Sequence, residues 1–335
     1  MTPIQIFEDI DQARFRSEIQ PRNQPAVLRG LCADWPLVHA GRNGADALFT
    51  ALGPRAPARE ADVLELPARF EGRFLHDADC TGFNFERRRL SLKDLFARLK
   101  SEAGAQQPVS LFAGAVPLRD DLQSLADEHA MPLLDGVEER LTSLWIGNRT
   151  RTAPHWDLPS NLATVIAGRR RFILYPPECI RDLYIGPMDR TIAGQPVSLV
   201  DPLQPDLERF PDYARAQDKA LTATLEPGDT LYMPSLWVHF VQSLDPVSMM
   251  LNIWWREGPP HTVTPFLTLL HGLLTLRDLP EHERQAWKHV FDHFIFDAAN
   301  EAQPYLSDEA KGVFGPSTEA VRSRIRQHLL RTLQR

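Results

Sequence analysis

Apolar and polar positions change their rhythm twice along the chain. Before about residue 140 the pattern is mixed. Residues 9–20, DIDQARFRSEIQ, read as a helix, and PAVLRGL (25–31) reads as a short strand stopped by arginine and glycine. SLKDLFARLKSE, from Ser91, opens with a serine N-cap and repeats Leu92, Leu95, Phe96 and Leu99 at helical spacing. PVSLFAGAV (108–116) predicts a strand. From about 140 to 256 the apolar runs shorten and fill with branched and aromatic residues: LTSLWIG, ATVIAG, RRFILYPP, DTLYMPSLW and SMMLNIWW. Gly, Pro, Asn and Asp separate them, which predicts an antiparallel β-sandwich or barrel. EPGD at 226–229 puts Pro-Gly at the centre of a turn between two of these strands. The stretch of roughly 178–220 breaks the rhythm and predicts a loop with short helices.

After Gly258-Pro259-Pro260 the spacing becomes helical in TPFLTLLHGLLTLRD, PEHERQAWKHVFDHFIFDAA and STEAVRSRIRQHLLRTLQ. The last carries Val321, Ile325, Leu329 and Leu333 at every fourth position. Such a stripe has to be covered, by the β-core or by a second copy across a two-fold axis. The pattern therefore predicts a mixed α/β N-terminal layer, a β-core over about 108–256, and a helical segment over 259–335.

Composition narrows the setting. With 43% apolar and 24% charged residues in 335, the chain can bury a sizeable core. It has no run of eighteen apolar residues, so no transmembrane helix is expected, and MTPIQIFEDIDQARFRSE lacks the layout of a secretory signal. Cys32, Cys80 and Cys179 form neither a disulfide framework nor a zinc pattern, so a cytoplasmic location is expected. A net charge of −7 argues against broad binding to a phosphate backbone. ERRR at 86–89 and Arg322, Arg324, Arg326 and Arg331 read as solvated faces that could also touch RNA or an acidic peptide.

Candidate chemistry starts at TAPHWDLPSN (152–161). In a strand, residues two apart face one side, so His155 and Asp157 project together while Trp156 points away. Alone, this pair is equally a hydrogen-bonded structural feature. His239, in the later β-run LYMPSLWVHFVQSL, completes two imidazoles and one carboxylate delivered from strands. That is the facial triad of non-haem Fe(II) oxygenases, which leaves coordination positions open for a co-substrate and O₂. The pair His289 and His293, four apart, lacks the H-E-x-x-H pattern and reads as packing or solvated.

The stretch of about 141–258 resembles the JmjC/cupin-like oxygenases, which use Fe(II) and 2-oxoglutarate on a double-stranded β-helix (jelly-roll). HWDLPSNLATVIAGRRRFILYPP, DLERFPDYARAQ, LEPGDTLYMPSLWVHFVQSL and LNIWW carry the resemblance. Within that group the chain is most similar to the asparaginyl hydroxylase acting on hypoxia-inducible factor and to the tRNA wybutosine hydroxylase. The resemblance implies that His155, Asp157 and His239 are the metal ligands. It places Thr152, Asn161 and Asn252 at the 2-oxoglutarate, and Trp254 on the substrate side of the iron. Trp145, Trp237 and Trp255 read as core aromatics.

Two positions depart from the family. Arg170 stands where a lysine usually grips the far carboxylate of 2-oxoglutarate; a guanidinium fork can hold that carboxylate with two hydrogen bonds. Phe112 stands near where relatives supply a tyrosine hydroxyl to the same group. The implied activity is hydroxylation of a protein or peptide side chain, with release of succinate and CO₂, by a homodimer joined through the C-terminal helices. A modified tRNA nucleoside is the alternative substrate, and a non-catalytic cupin binding module the alternative class.

Overall fold

The apolar runs of the N-terminal 260 residues become the strands of two facing sheets. The computed structural model describes residues 1–53, 60–259, 261–297 and 303–333, and it falls into two units, Met1–Pro260 and His261–Arg335. The strands of the first are β1 (Thr2–Pro3), β2 (Ile6–Phe7), β3 (Ala26–Leu28), β4 (Glu60–Leu66) and β5 (Arg73–Phe74). They continue with β6 (Glu86–Ser91), β7 (Ser110–Pro117), β8 (Arg140–Gly147), β9 (Arg151–His155) and β10 (Ser160–Ala167). Last come β11 (Arg170–Tyr175), β12 (Leu221–Leu225), β13 (Thr230–Met233), β14 (Val238–Ser243) and β15 (Ser248–Trp255). The major sheet runs β2-β3-β13-β10-β15-β8-β7-β4-β6 and the minor sheet β1-β12-β11-β14-β9-β5. From β8 to β15 the chain supplies four strands to each sheet, which is the expected jelly-roll.

Strand alternation sorts the side chains into layers. Between the sheets, Ala163, Val165 and Met250 of the major sheet meet Phe172, Leu174 and Val241 of the minor one. The opposite face of the major sheet, with Leu162, Ile166 and Leu251, is covered by the helices Pro36–Arg42, Ala45–Leu52 and Leu92–Ala103. The opposite face of the minor sheet, with Ile173, Tyr175 and Phe240, is covered by the 177–183 turn and the helix Tyr213–Lys219 of the 178–220 insertion. Because both faces are covered, β10 is buried at every position.

Local signals hold where the backbone decides them. Ser91 Oγ accepts from the Asp94 N–H at 3.1 Å and caps its helix, which buries the four apolar residues expected. Gly228 takes φ +99° in the EPGD turn, where other residues are strained. Asp229 then fixes that turn: it accepts from the Gly30 and Glu226 N–H groups, each at 2.9 Å, and from Arg29. The helix read in residues 9–20 is irregular, an α-turn at Gln12–Arg14 running into a π-turn at Phe15–Ile19 and a 3-10 turn at Gln20–Arg22.

The N-terminal region differs from its sequence reading. It is not only a flanking layer, because its strands extend both sheets. β3 pairs with β13, β4 with β7 and β6, and β5 with β9. The second unit is helical, at Phe266–Thr275, Glu281–Phe291 with a π-turn to Phe296, Asp308–Lys311 and Glu319–Leu333. Residues 298–299 and 334, the ends of two predicted helices, lie outside the described residues. None of these helices buries a side chain.

Candidate metal and co-substrate site

Two paired strands of the minor sheet bring the triad together. His155 of β9 and His239 of β14 are direct partners in the ladder, with ring centroids 4.3 Å apart. The register of β9 on β14 skips Pro154, so its missing N–H breaks no ladder bond. β9 ends at His155, and Asp157 follows in the turn to β10. Trp156 packs on the far side of the minor sheet, as alternation requires. Asp157 Oδ2 lies 3.8 Å from His239 Nε2, and one ligand atom from each of the three residues falls within 4.8 Å of the others. Among the described residues no other His, Cys, Asp or Glu cluster has this form, the His289–His293 pair included.

Each ligand is oriented by a second group. His155 Nδ1 lies 2.9 Å from Ala153 O and His239 Nδ1 lies 3.0 Å from Trp237 O. Donation to these carbonyls leaves both Nε2 atoms free as ligands. The Trp254 indole N–H donates to Asp157 Oδ2 at 3.0 Å. The Leu236 N–H donates to Asp157 O at 3.0 Å, and Ser235 Oγ to Leu158 O at 2.6 Å, so the loop before β14 grips the loop after β9. Leu236 takes φ +66° to do so, a strained value held by these contacts. Burial, and then the adjacent His155 ring, push His239 down to about 4, so its imidazole is neutral at neutral pH. Two imidazoles and a carboxylate on one face suit a divalent metal with open positions opposite.

The sequence-predicted co-substrate residues gather on the inner faces of the sheets. Asn252 Nδ2 donates to Asn161 Oδ1 at 3.1 Å, and Thr152 sits opposite Val241 at the cavity wall. Of the three consecutive arginines, Arg169 is bound to half-buried Asp245 and Arg171 lies on the outward face. Arg170 alone points between the sheets, 2% exposed. It donates to Ser248 Oγ at 2.9 Å and to Trp145 O at 3.3 Å, and no carboxylate among the described residues pairs with it. Phe112 lies against Trp145 at 5.7 Å, in the cavity wall.

The same inner face carries polar atoms that are buried without partners: Ser143 Oγ, Trp145 Nε1, Asn161 Nδ2 and Asn252 Oδ1. An unmet buried donor or acceptor costs about 1–3 kcal/mol. Four of them on one inner face, with a buried guanidinium bonded to the Trp145 backbone, fit a polar, anionic guest such as 2-oxoglutarate. Sequence reasoning missed Ser143 and took Trp145 for a core aromatic; their inward placement on β8 follows only once its pairing with β15 is known. The triad opens onto a cavity of about 780 Å³ with aromatic walls from Phe74, Phe112, Trp145 and Trp254.

Residues 12–261 match the family model described as a cupin-like domain. The chain belongs to this JmjC-type, cupin-like family. It is 26% identical over 280 residues to tRNA wybutosine-synthesizing protein 5 of Danio rerio, covering 76% of each chain. It is 39% identical over 123 residues to HSPB1-associated protein 1 homolog of Danio rerio, which covers 36% of this chain and 26% of that one. Lysine-specific demethylase 8 of Danio rerio matches at 25% over 248 residues, 72% of this chain and 55% of the other. The chain thus spans only about a quarter of the HSPB1-associated relative. JmjC-type members of the cupin-like family generally use Fe(II) and 2-oxoglutarate, and the His-Asp-His group lies within the matched region.

Proposed function

We propose that the chain is an Fe(II)- and 2-oxoglutarate-dependent hydroxylase of a protein or peptide side chain. The observation that carries this reading is the convergent His155–Asp157–His239 group, two of whose members line the cavity, together with a buried Arg170 that has no carboxylate partner among the described residues and is bonded to the backbone of Trp145 in the cavity wall. His155, Asp157 and His239 would hold the metal. Arg170, Thr152, Asn161 and Asn252 would hold the co-substrate. When bound, Fe(II) and 2-oxoglutarate activate O₂ for C–H hydroxylation, giving succinate and CO₂.

The protein's own part is binding and orientation. The carbonyls of Ala153 and Trp237 fix the imidazole tautomers, and the Trp254 N–H fixes which carboxylate oxygen of Asp157 faces inward. The aromatic walls exclude water from the reacting face and leave an apolar slot for a substrate side chain. At the rim, Arg87, Arg140 and Arg256 alternate with Asp62, Glu138 and Glu139. Mixed charge suits a peptide, whereas a nucleic acid would favour an unbroken basic surface. The competing substrate, a modified tRNA nucleoside, is favoured by the 76% mutual coverage with the wybutosine protein.

Turnover of 2-oxoglutarate to succinate, tested with candidate peptides and with tRNA, decides between them. RNA binding would fall steeply with salt. Asp157→Ala should abolish turnover while leaving substrate binding largely intact. If binding persists and wild type shows no turnover with any substrate, the chain is a non-catalytic binding module instead.

Residues up to about 258 would form the oxygenase domain, and 259–335 would join two copies. Leu274, Phe296 and Leu330 of the helical unit are 73%, 74% and 61% exposed, which a second copy would cover. Sedimentation should show a dimer, and Leu330→Glu should shift it to monomer. Cys32, Cys80 and Cys179 are all free thiols, consistent with a reducing cytoplasm. No helix among the described residues is long and apolar enough to cross a membrane.

A further inference from the structure

Among the unmet polar atoms of the inner face, the Trp145 N–H is carried on a ring that packs against Phe112. Trp145 stands on β8 directly opposite Met250 of β15, and its backbone oxygen accepts from Arg170 Nη2. Its backbone is therefore level with the guanidinium. Its indole packs both against the apolar filling between the sheets and against the cavity cluster around Phe74 and Phe112. It is wedged between Phe112 at 5.7 Å and Trp254 at 5.8 Å. Gly114 makes room for it, since a β-carbon there would lie 2.7 Å from Trp145 Cζ3. Held this firmly, the ring still buries its N–H without an acceptor. A buried indole N–H usually finds an acceptor, so one left unmet in a ring this tightly held points to an acceptor that a ligand would bring.

We propose that the Trp145 indole N–H donates to the far carboxylate of 2-oxoglutarate, beside the Arg170 guanidinium. The inference rests on the reading of the site as a 2-oxoglutarate site. It adds a binding residue to that site. Arg170 supplies the charge, Thr152 lines the same cavity from the facing sheet, and Trp145 supplies a donor whose direction is fixed by its packing.

The test is binding, not turnover. The full-length protein loaded with Mn(II) would be titrated calorimetrically with 2-oxoglutarate and, in parallel, with 2-oxobutanoate, a keto acid lacking the far carboxylate. Trp145→Phe should weaken 2-oxoglutarate roughly ten- to hundredfold, the range for a hydrogen bond to a charged group, and leave 2-oxobutanoate unchanged. Benzothienylalanine at position 145, which replaces the N–H by sulfur at nearly constant shape, should reproduce that selective loss. Equal weakening of both acids would assign Trp145 a packing role and overturn the proposal, as would unchanged binding of 2-oxoglutarate. Failure of the wild-type protein to bind 2-oxoglutarate would instead overturn the reading of the site itself.

Discussion

Arg170→Met should make the metal-free protein more stable and the loaded protein unable to hold its co-substrate. Burial alone pushes the Arg170 guanidinium well below its ordinary value, to about 9. At about 1.36 kcal/mol per pH unit, the charged form is roughly 5 kcal/mol less favourable there than in water. Two hydrogen bonds, to Ser248 Oγ and Trp145 O, offset roughly half of this. Methionine has a similar length, no charge, and enough rotamers to fill the space against Phe172 and Met250. Replacing an uncompensated buried charge by an apolar group should then stabilise the fold by about 1–3 kcal/mol.

The assay is urea denaturation of metal-free wild type and variant at pH 7.5 and one protein concentration, comparing midpoints at equal m-values. Calorimetry of the Mn(II)-loaded pair with 2-oxoglutarate completes it. Loss of the ion pair should weaken binding by about 3 kcal/mol or more, a factor above roughly 100. The two effects have opposite signs, as expected when a residue is kept for a ligand rather than for the fold. A variant less stable than wild type by more than about 1 kcal/mol would refute the reasoning, because Arg170 would then be a structural cation.

Three further outcomes follow from the site and its supports. Below the ordinary histidine value of 6.5, the unfolded chain takes a proton that buried His239 refuses until about 4. Stability of the metal-free protein should therefore fall as pH drops through that window, by up to about 1.4 kcal/mol per pH unit; a gap between wild type and His239→Gln that does not change with pH would contradict this. Trp254→Phe removes the donor on Asp157 and should weaken Mn(II) binding roughly tenfold with the fold intact, measured by metal titration. Asp229→Ala strands the Arg29 cation and two turn N–H groups, so the urea midpoint should report a loss of about 3 kcal/mol or more.

The strands between 140 and 256 and the capped helix from Ser91 were legible because local residue preference and tertiary context agree there. The convergence of His155 with His239 was legible from strand placement, although their ladder register was not. Other features depended on pairings between distant segments. ERRR of β6 reads as a solvated face, yet the pairing of β6 with β4 and of β4 with β7 puts Asp62, Leu64 and Arg87 at the cavity. The bond from Trp254 to Asp157 crosses 97 residues, and nothing near either residue announces it. Leu236 reads as an ordinary apolar residue; its positive φ exists only because the Asp157 carbonyl is waiting for its N–H.

What separates the site from the rest of the core is a gradient along the strands themselves. On β10 the inward positions run Asn161, Ala163, Val165, and on β11 Leu174, Phe172, Arg170. Each strand is apolar over part of its inward face and polar at one end, and the two polar ends lie at different depths. Asn161, opposite Trp254, marks the triad's depth, and Arg170, linked to Trp145, marks a deeper one. A ligand that satisfies both must be elongated, with a polar group at each end. A dicarboxylic keto acid has that shape, whereas a metal alone would leave Arg170 and the Trp145 N–H unmet. The polar interruptions in SNLATVIA and RRFILY are therefore better explained by the length of a guest than by the stability of the barrel.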